Sequence, residues 1–154
     1  MNIYEEKLKK YIEDEGIQAQ QLIFKQSCHS VKEAAEAANA SPEDLVKNIC
    51  MIDQDNRLIV AIVKGDDRVS TSKTGKALSI ETPRIAVPDE ILRLTGYLCG
   101  GVPSFGYDAT FIIDPRVMER ETILTGGGSP NALLRISTEE LQRVNHAQIL
   151  RIRK

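Results

Sequence analysis

The chain lacks the signatures that usually announce a catalytic class. It has no HExxH, no GxSxG and no CxxC, which removes the familiar metalloprotease, serine hydrolase and dithiol readings. Histidine is scarce: of His29 and His146, only His29 has a cysteine near it in sequence, Cys28, so no metal site is expected. The three cysteines, Cys28, Cys50 and Cys99, are odd in number and far apart, which fits reduced thiols better than a disulfide framework. Basic charge is not in excess either. Lys and Arg number 20 against 22 Asp and Glu, a formal net charge of −2. Bulk affinity for nucleic acid is therefore not expected, DNA is not an expected partner, and any RNA contact must rest on a local patch. The start, MNIYEEKLKKYIEDEG, is charged and offers no apolar run for a signal peptide or membrane span, so the expected location is cytoplasmic.

What is present fits a globular chain. The length, 154 residues, suits one domain, expected here over 1–154, and 42% hydrophobic with 27% charged residues gives no sign of wholesale disorder. No repeat, low-complexity stretch or linker divides it. Ile3, Leu8, Tyr11 and Ile12 share a helical face that Gly16 should end. QLIFK (21–25) reads as a strand. Ser30 with Glu33, and Ser137 with Glu140, are capping-box patterns, and Ser41-Pro42 opens another turn. LVKNICMID and RLIVAIV, joined by the turn residues DQDN, are apolar on both faces and belong in the middle of a sheet. Residues 70–79 suit a helix, PRIAV a strand, and Pro88 opens a helix that Gly96 ends. TFIID, ETILT, ALLRI and AQILRI complete the strands, with the helix TEELQRV before the last. Helices and strands mix without regular alternation, which points to a mixed-sheet α/β or α+β domain.

Three features carry chemistry. Lys47 sits within the strand-like run, sharing a face with Leu45, Ile49 and Met51. Either it snorkels to water from the strand end, or it aims a cation into a cleft at a phosphate or carbonyl oxygen. The loop GGVPSFG (100–106) is either a tight connection or a close-approach loop, with Phe105 as a pocket wall and Ser104 as a donor. TGGGSPN (125–131) spends three glycines where a two-residue turn would serve, and it is neither a Walker loop nor a dinucleotide fingerprint. Its backbone amides suit an oxyanion or backbone-recognition loop, with Thr125, Ser129 and Asn131 as polar contacts.

At these residues the chain resembles the YbaK-like aminoacyl-tRNA deacylases, relatives of the editing domain inserted in bacterial prolyl-tRNA synthetases. The resemblance runs from about Cys28 to Leu141, through HSVKEAAEAANASPEDLVKNICMI, KGDDRVSTSKTGKAL, LTGYLCGGVPSFG, TFIID and the glycine loop. It implies a compact α/β domain with a mixed, partly barrel-like sheet flanked by helices. The implied activity is hydrolysis of the ester joining a wrong amino acid to the tRNA 3′ end, first of all proline tRNA carrying alanine or cysteine. No cofactor is implied. The partners would be the aminoacyl-tRNA 3′ end and a synthetase, prolyl-tRNA synthetase or another.

The family's characteristic lysine maps onto Lys47, its GXXXP-type pocket loop onto Gly100 to Ser104, and its late glycine loop onto Thr125 to Gly128. There are departures: Asn48 stands where the family usually has threonine, and Ser104 where the loop would end in proline, with Pro103 one place early. The expected catalytic set is thus Lys47 with the amides of Gly100, Gly101 and Gly127. Pro103, Ser104, Phe105, Thr125, Gly126, Gly128, Ser129 and Asn131 would line the substrate. With no nucleophile–base pair in sight, a covalent acyl-enzyme is not favoured, and water would be activated by the substrate itself. The alternatives are a non-catalytic tRNA- or synthetase-binding module with the same fold, and a nucleotide-binding enzyme or sensor.

Overall fold

Helices and strands, mixed without regular alternation, build two sheets in the computed structural model, which describes residues 1–154. In chain order the elements are α1 (Ile3–Asp14), β1 (Ala19–Ile23), α2 (Val31–Ala38), β2 (Val46–Ile52), β3 (Leu58–Lys64), α3 (Thr71–Leu78) and β4 (Arg84–Ile85). They continue with α4 (Pro88–Thr95), β5 (Thr110–Ile113), β6 (Thr122–Gly126), β7 (Ala132–Ser137), α5 (Thr138–Asn145) and β8 (Gln148–Ile149). β3 is central because LIVAIVK has no polar face to show water, and all seven of its residues are buried. It pairs antiparallel with β2 across the turn at 53–57 and parallel with β5, giving the five-stranded order β4-β2-β3-β5-β8. The second sheet, β1-β7-β6, is antiparallel throughout. The two sheets touch where Leu45 bridges Leu124, but they do not close into a barrel. The family resemblance's mixed sheet is thus found as two sheets.

One apolar core joins both sheets to the helices, through Val60, Ile62 and Ile113 on one side and Ile123, Leu134 and Ile136 on the other. Leu8 of α1 and Leu141 of α5 close it, each fully buried, and each side chain is stabilising by about 1.5–3 kcal/mol. A second layer packs Met51, Ile59, Val63 and Ile112 beneath α3. No helix is long and apolar enough to cross a membrane.

Ser30, Ser41 and Ser137 each accept an amide of the following turn, and Gly96 ends α4 in the left-handed region. The expected capping boxes form only by half: neither Glu33 nor Glu140 bonds back to its cap, and Glu140 takes the Gln18 amide at 2.8 Å instead. Two further expectations change, and Asp114 has a role of its own. Ile3 is exposed, and the buried residues of α1 are Glu5 and Leu8: Tyr4, Tyr11 and Ile12 pack on the core while the backbone at Glu5 lies against Gly128 of the β6–β7 loop. PRIAV and AQILRI shrink to two paired residues each, as both are sheet edges. Asp114 does more than end β5. Its buried carboxylate accepts the amides of Arg116, Ile152 and Arg153 and pairs with the Arg153 guanidinium at 2.6 Å. Burial alone would raise its pKa, but these donors hold it below the ordinary carboxylate value. The basic segment 151–154 is thereby held at the end of β5.

Candidate active site

One edge of β2 is paired with β3 along its whole length, and the other edge is paired only near its two ends. Leu45, just before it, bridges β6, and β4 is so short that it covers only Met51 and Ile52. Along that open edge lies a cleft of about 250 Å³. Lys47 and Asn48 line it from β2, Gly100 and Val102 from one glycine loop, and Thr125 and Gly126 from the end of β6.

Lys47 is half-buried and makes no ion pair or hydrogen bond within the protein. By contrast, the neighbouring Lys64 on β3 is neutralised by Glu43. Burial lowers the pKa of Lys47, as does the Arg68 guanidinium, while Asp67 and Asp66 oppose the shift. Asp67 is itself held by Arg116 at 2.7 Å. The cleft therefore holds one uncompensated cation.

The loop Gly100–Gly106 is pinned by its carbonyls. Those of residues 101 to 104 each accept a hydrogen bond from the body of the protein: Gly101 from the Gly128 amide (2.9 Å), Val102 from Asn48 Nδ2 (2.9 Å), Pro103 from the Tyr107 hydroxyl (2.6 Å) and Ser104 from Asn145 Nδ2 (3.0 Å). In a trans peptide the following amide points the opposite way, and no peptide here is cis. The amides of Gly100 and Val102 have no protein acceptor, and both residues line the cleft. The held Gly101 carbonyl thus fixes the Val102 amide from behind, while the Gly100 amide follows the Cys99 carbonyl, which accepts no hydrogen bond.

The other expected contributors lie elsewhere. The Gly101 amide already bonds to Leu98 O (3.0 Å) and the Gly127 amide to Ala132 O (3.1 Å), so neither is free to meet a ligand. Phe105 is not a pocket wall: it is 1% exposed and stacks on Tyr11 in the core. Pro103 and Gly128 do not reach the cleft. Ser129 gives its hydroxyl proton to the buried Glu5 carboxylate (2.5 Å), and Asn131 turns its side chain to Lys25 O. The three glycines of the late loop have a packing cause. A Cβ on Gly126 would fall 2.0 Å from Val102 O, one on Gly127 2.5 Å from Leu133 N, and Gly128 has φ +106° against α1. Two loops and a helix meet there backbone to backbone.

Sequence reasoning missed His29 and the thiols as neighbours of this site. The His29 ring lies against Gly100, where a Cβ would be 2.6 Å from Nδ1, and it stands at the cleft mouth. The signal was its place before the Ser30 cap, in a chain with only two histidines. All three cysteines line the cleft. Burial pushes Cys50 up to about 12, with Cys99 adding to it, and burial with Glu33 raises Cys28. A thiol whose folded pKa is raised stabilises fully below the ordinary value of 9.0 and loses that contribution as pH climbs toward 12. Only Cys99 is exposed. Native protein should release one fast thiol equivalent to a disulfide reagent, with the other two appearing on unfolding; three equally fast thiols would contradict this burial.

Comparison with known proteins agrees with this architecture. The aminoacyl-tRNA editing domain matches over residues 25–144. The chain belongs to that family, in its YbaK-like branch. An uncharacterized Bacillus subtilis protein, YwhH, is 24% identical over 128 residues, covering 82% of this chain and 81% of that one. The proline--tRNA ligase of Pseudothermotoga lettingae is 27% identical over 120 residues, covering 77% of this chain but only 21% of the ligase. A crystal structure of a candidate trans-editing enzyme for prolyl tRNA synthetase superposes with a TM-score of 0.92 at 24% identity, over 100% of this chain and 99% of that one. The last likeness concerns the fold.

Proposed function

We infer that this chain is an aminoacyl-tRNA deacylase acting in trans, a carboxylic ester hydrolase that removes a wrong amino acid from a tRNA 3′ end. The observation that carries the reading is the unpaired Lys47 ammonium in the same cleft as the two free amides of a carbonyl-pinned loop. An ester carbonyl attacked by water develops negative charge on its oxygen, and amides held in place stabilise that charge without reorganising. Gly100, expected from the sequence, and Val102, which was not, serve as these donors, while the expected Gly101 and Gly127 amides are already bonded within the protein. Lys47 anchors the terminal nucleotide or the carbonyl.

No serine hydroxyl or cysteine thiol is hydrogen-bonded to a histidine ring: Ser104 and Thr125 are bonded to each other and to Asn48, and Cys50 is held as a thiol. Water therefore adds directly, and its proton is relayed through the substrate, for instance through the ribose 2′-hydroxyl, to the ester oxygen that leaves. The acyl–oxygen bond then breaks to leave a free amino acid and a tRNA with an intact 3′ end. Proline tRNA bearing alanine or cysteine is the first substrate to try, and prolyl-tRNA synthetase or another synthetase the partner that supplies it.

The test is a deacylation time course on aminoacyl-tRNAs, starting with proline tRNA charged with alanine, cysteine or proline. Selective loss of one amino acid supports the assignment. Binding to every charged tRNA with the ester left intact would replace it with the non-catalytic module.

A further inference from the structure

Behind the cleft lies a closed ring of hydrogen bonds whose direction can be deduced. The Asn48 amide is oriented by Val102 O, which can only accept, so Nδ2 faces it at 2.9 Å. The second Nδ2 proton goes to Thr125 Oγ1 at 2.9 Å. Asn48 Oδ1 can only accept, so Ser104 donates to it at 2.6 Å. The Ser104 proton is then used. The 2.6 Å contact between Ser104 Oγ and Thr125 Oγ1 must carry the Thr125 proton. The ring runs from Asn48 to Thr125 to Ser104 and back to Asn48, every donor pointing the same way round. Ser104 and Thr125 are 0% and 1% exposed.

We propose that Asn48, Ser104 and Thr125 are the positioning residues of this site, setting the separation between Lys47 and the free amides of the pinned loop. The proposal rests on the deacylase reading above. Asn48 is the chain neighbour of Lys47, and the one proton it sends outside the ring fixes Val102 O, just downstream of the Val102 amide. The ring thus spans from the strand of the cation to the loop of the donors. It has no proton left over for a ligand and no titratable member, so it neither donates to substrate nor moves with pH. In a mutually polarised ring the bonds support one another, and removing one member weakens the other two.

The test compares Thr125→Val, which keeps the shape and removes the hydroxyl, with Thr125→Ser, which keeps the hydroxyl. Single and double replacements of Ser104 and Asn48 by alanine complete it. Thr125→Val is expected to lower kcat by about ten- to a hundredfold, the order that a small misplacement costs, with KM changed less than about twofold. Thr125→Ser should recover most of that loss, and the pH profile of residual activity should keep its shape. The Ser104→Ala/Asn48→Ala double variant should be no slower than the worse single, since the ring acts as a unit. Unfolding midpoints of all variants separate a lost fold from a lost geometry. Wild-type kcat in Thr125→Val, equal losses in Val and Ser, or fully multiplicative losses in the double variant would each overturn the ring's role while leaving the deacylase reading standing. Failure of the wild type to hydrolyse any charged tRNA would overturn both.

Discussion

Replacing Lys47 by alanine is expected to abolish ester hydrolysis and leave the fold in place. The side chain is half-buried, lines the cleft and has no partner whose charge would be orphaned by its loss. Truncation at a paired buried ion costs about 3–5 kcal/mol, because it strands the partner. Here nothing is stranded, and removing a cation already disfavoured by burial leaves the fold's stability close to unchanged. Activity should respond differently. Removing one preorganised donor to a developing oxyanion typically costs about a hundredfold or more in rate. Lys47→Arg would keep the charge but send a larger, forked group into a cleft of about 250 Å³, so it should restore little. Retained activity in Lys47→Ala, with a native circular dichroism spectrum, would remove the residue from the mechanism.

The largest stability loss is expected from Gly126→Ala. The added carbon would stand 2.0 Å from the Val102 carbonyl oxygen and 2.6 Å from its carbon, both backbone atoms with no rotamer to escape into. Overpacking of this kind typically costs about 1–3 kcal/mol and occasionally more. The route of relief matters as much as the cost, since pushing Val102 away breaks its bond from Asn48 and turns its amide out of the cleft. A urea unfolding curve should show the lower midpoint, and deacylation should fall further than the stability loss explains. An unchanged midpoint would mean that the two loops are looser than their packing indicates.

Much of the scaffold was legible because local rules agreed with the global fold. RLIVAIV reads as a strand in the middle of a sheet, and the strand forms there one residue further on, while Pro88 and Gly96 bracket α4 as their backbone preferences require. The site was legible in part. Lys47 stood out as a charge in an apolar run, and the glycine loops as chain that approaches something closely. What they approach could not be read, because it is mostly each other: Gly101 lies on Ser129, Gly126 on Val102, and Gly128 on the first turn of α1. Contacts between residues dozens of positions apart leave no periodicity. For the same reason Asn48 and Ser104 looked like two separate departures from the family pattern, although they are hydrogen-bonded to each other. Phe105 misled because an aromatic residue beside glycines resembles a pocket wall, whereas α1 brings Tyr11 over it and makes it core.

The family match begins at residue 25, yet the segment before it is sewn into the middle of the molecule. β1 gives β7 five cross-strand neighbours, Gln21 Nε2 joins Glu5 O to Gly127 O, and Glu5 holds Ser129. A fragment trimmed to the matched stretch would bare β7 along its length, an unpaired ladder of amides and carbonyls ready to recruit another chain. Such a fragment would be prone to self-association, and a loss of activity in it would say nothing about the residues of the cleft. The boundary by which the family is recognised runs through the interior of a sheet.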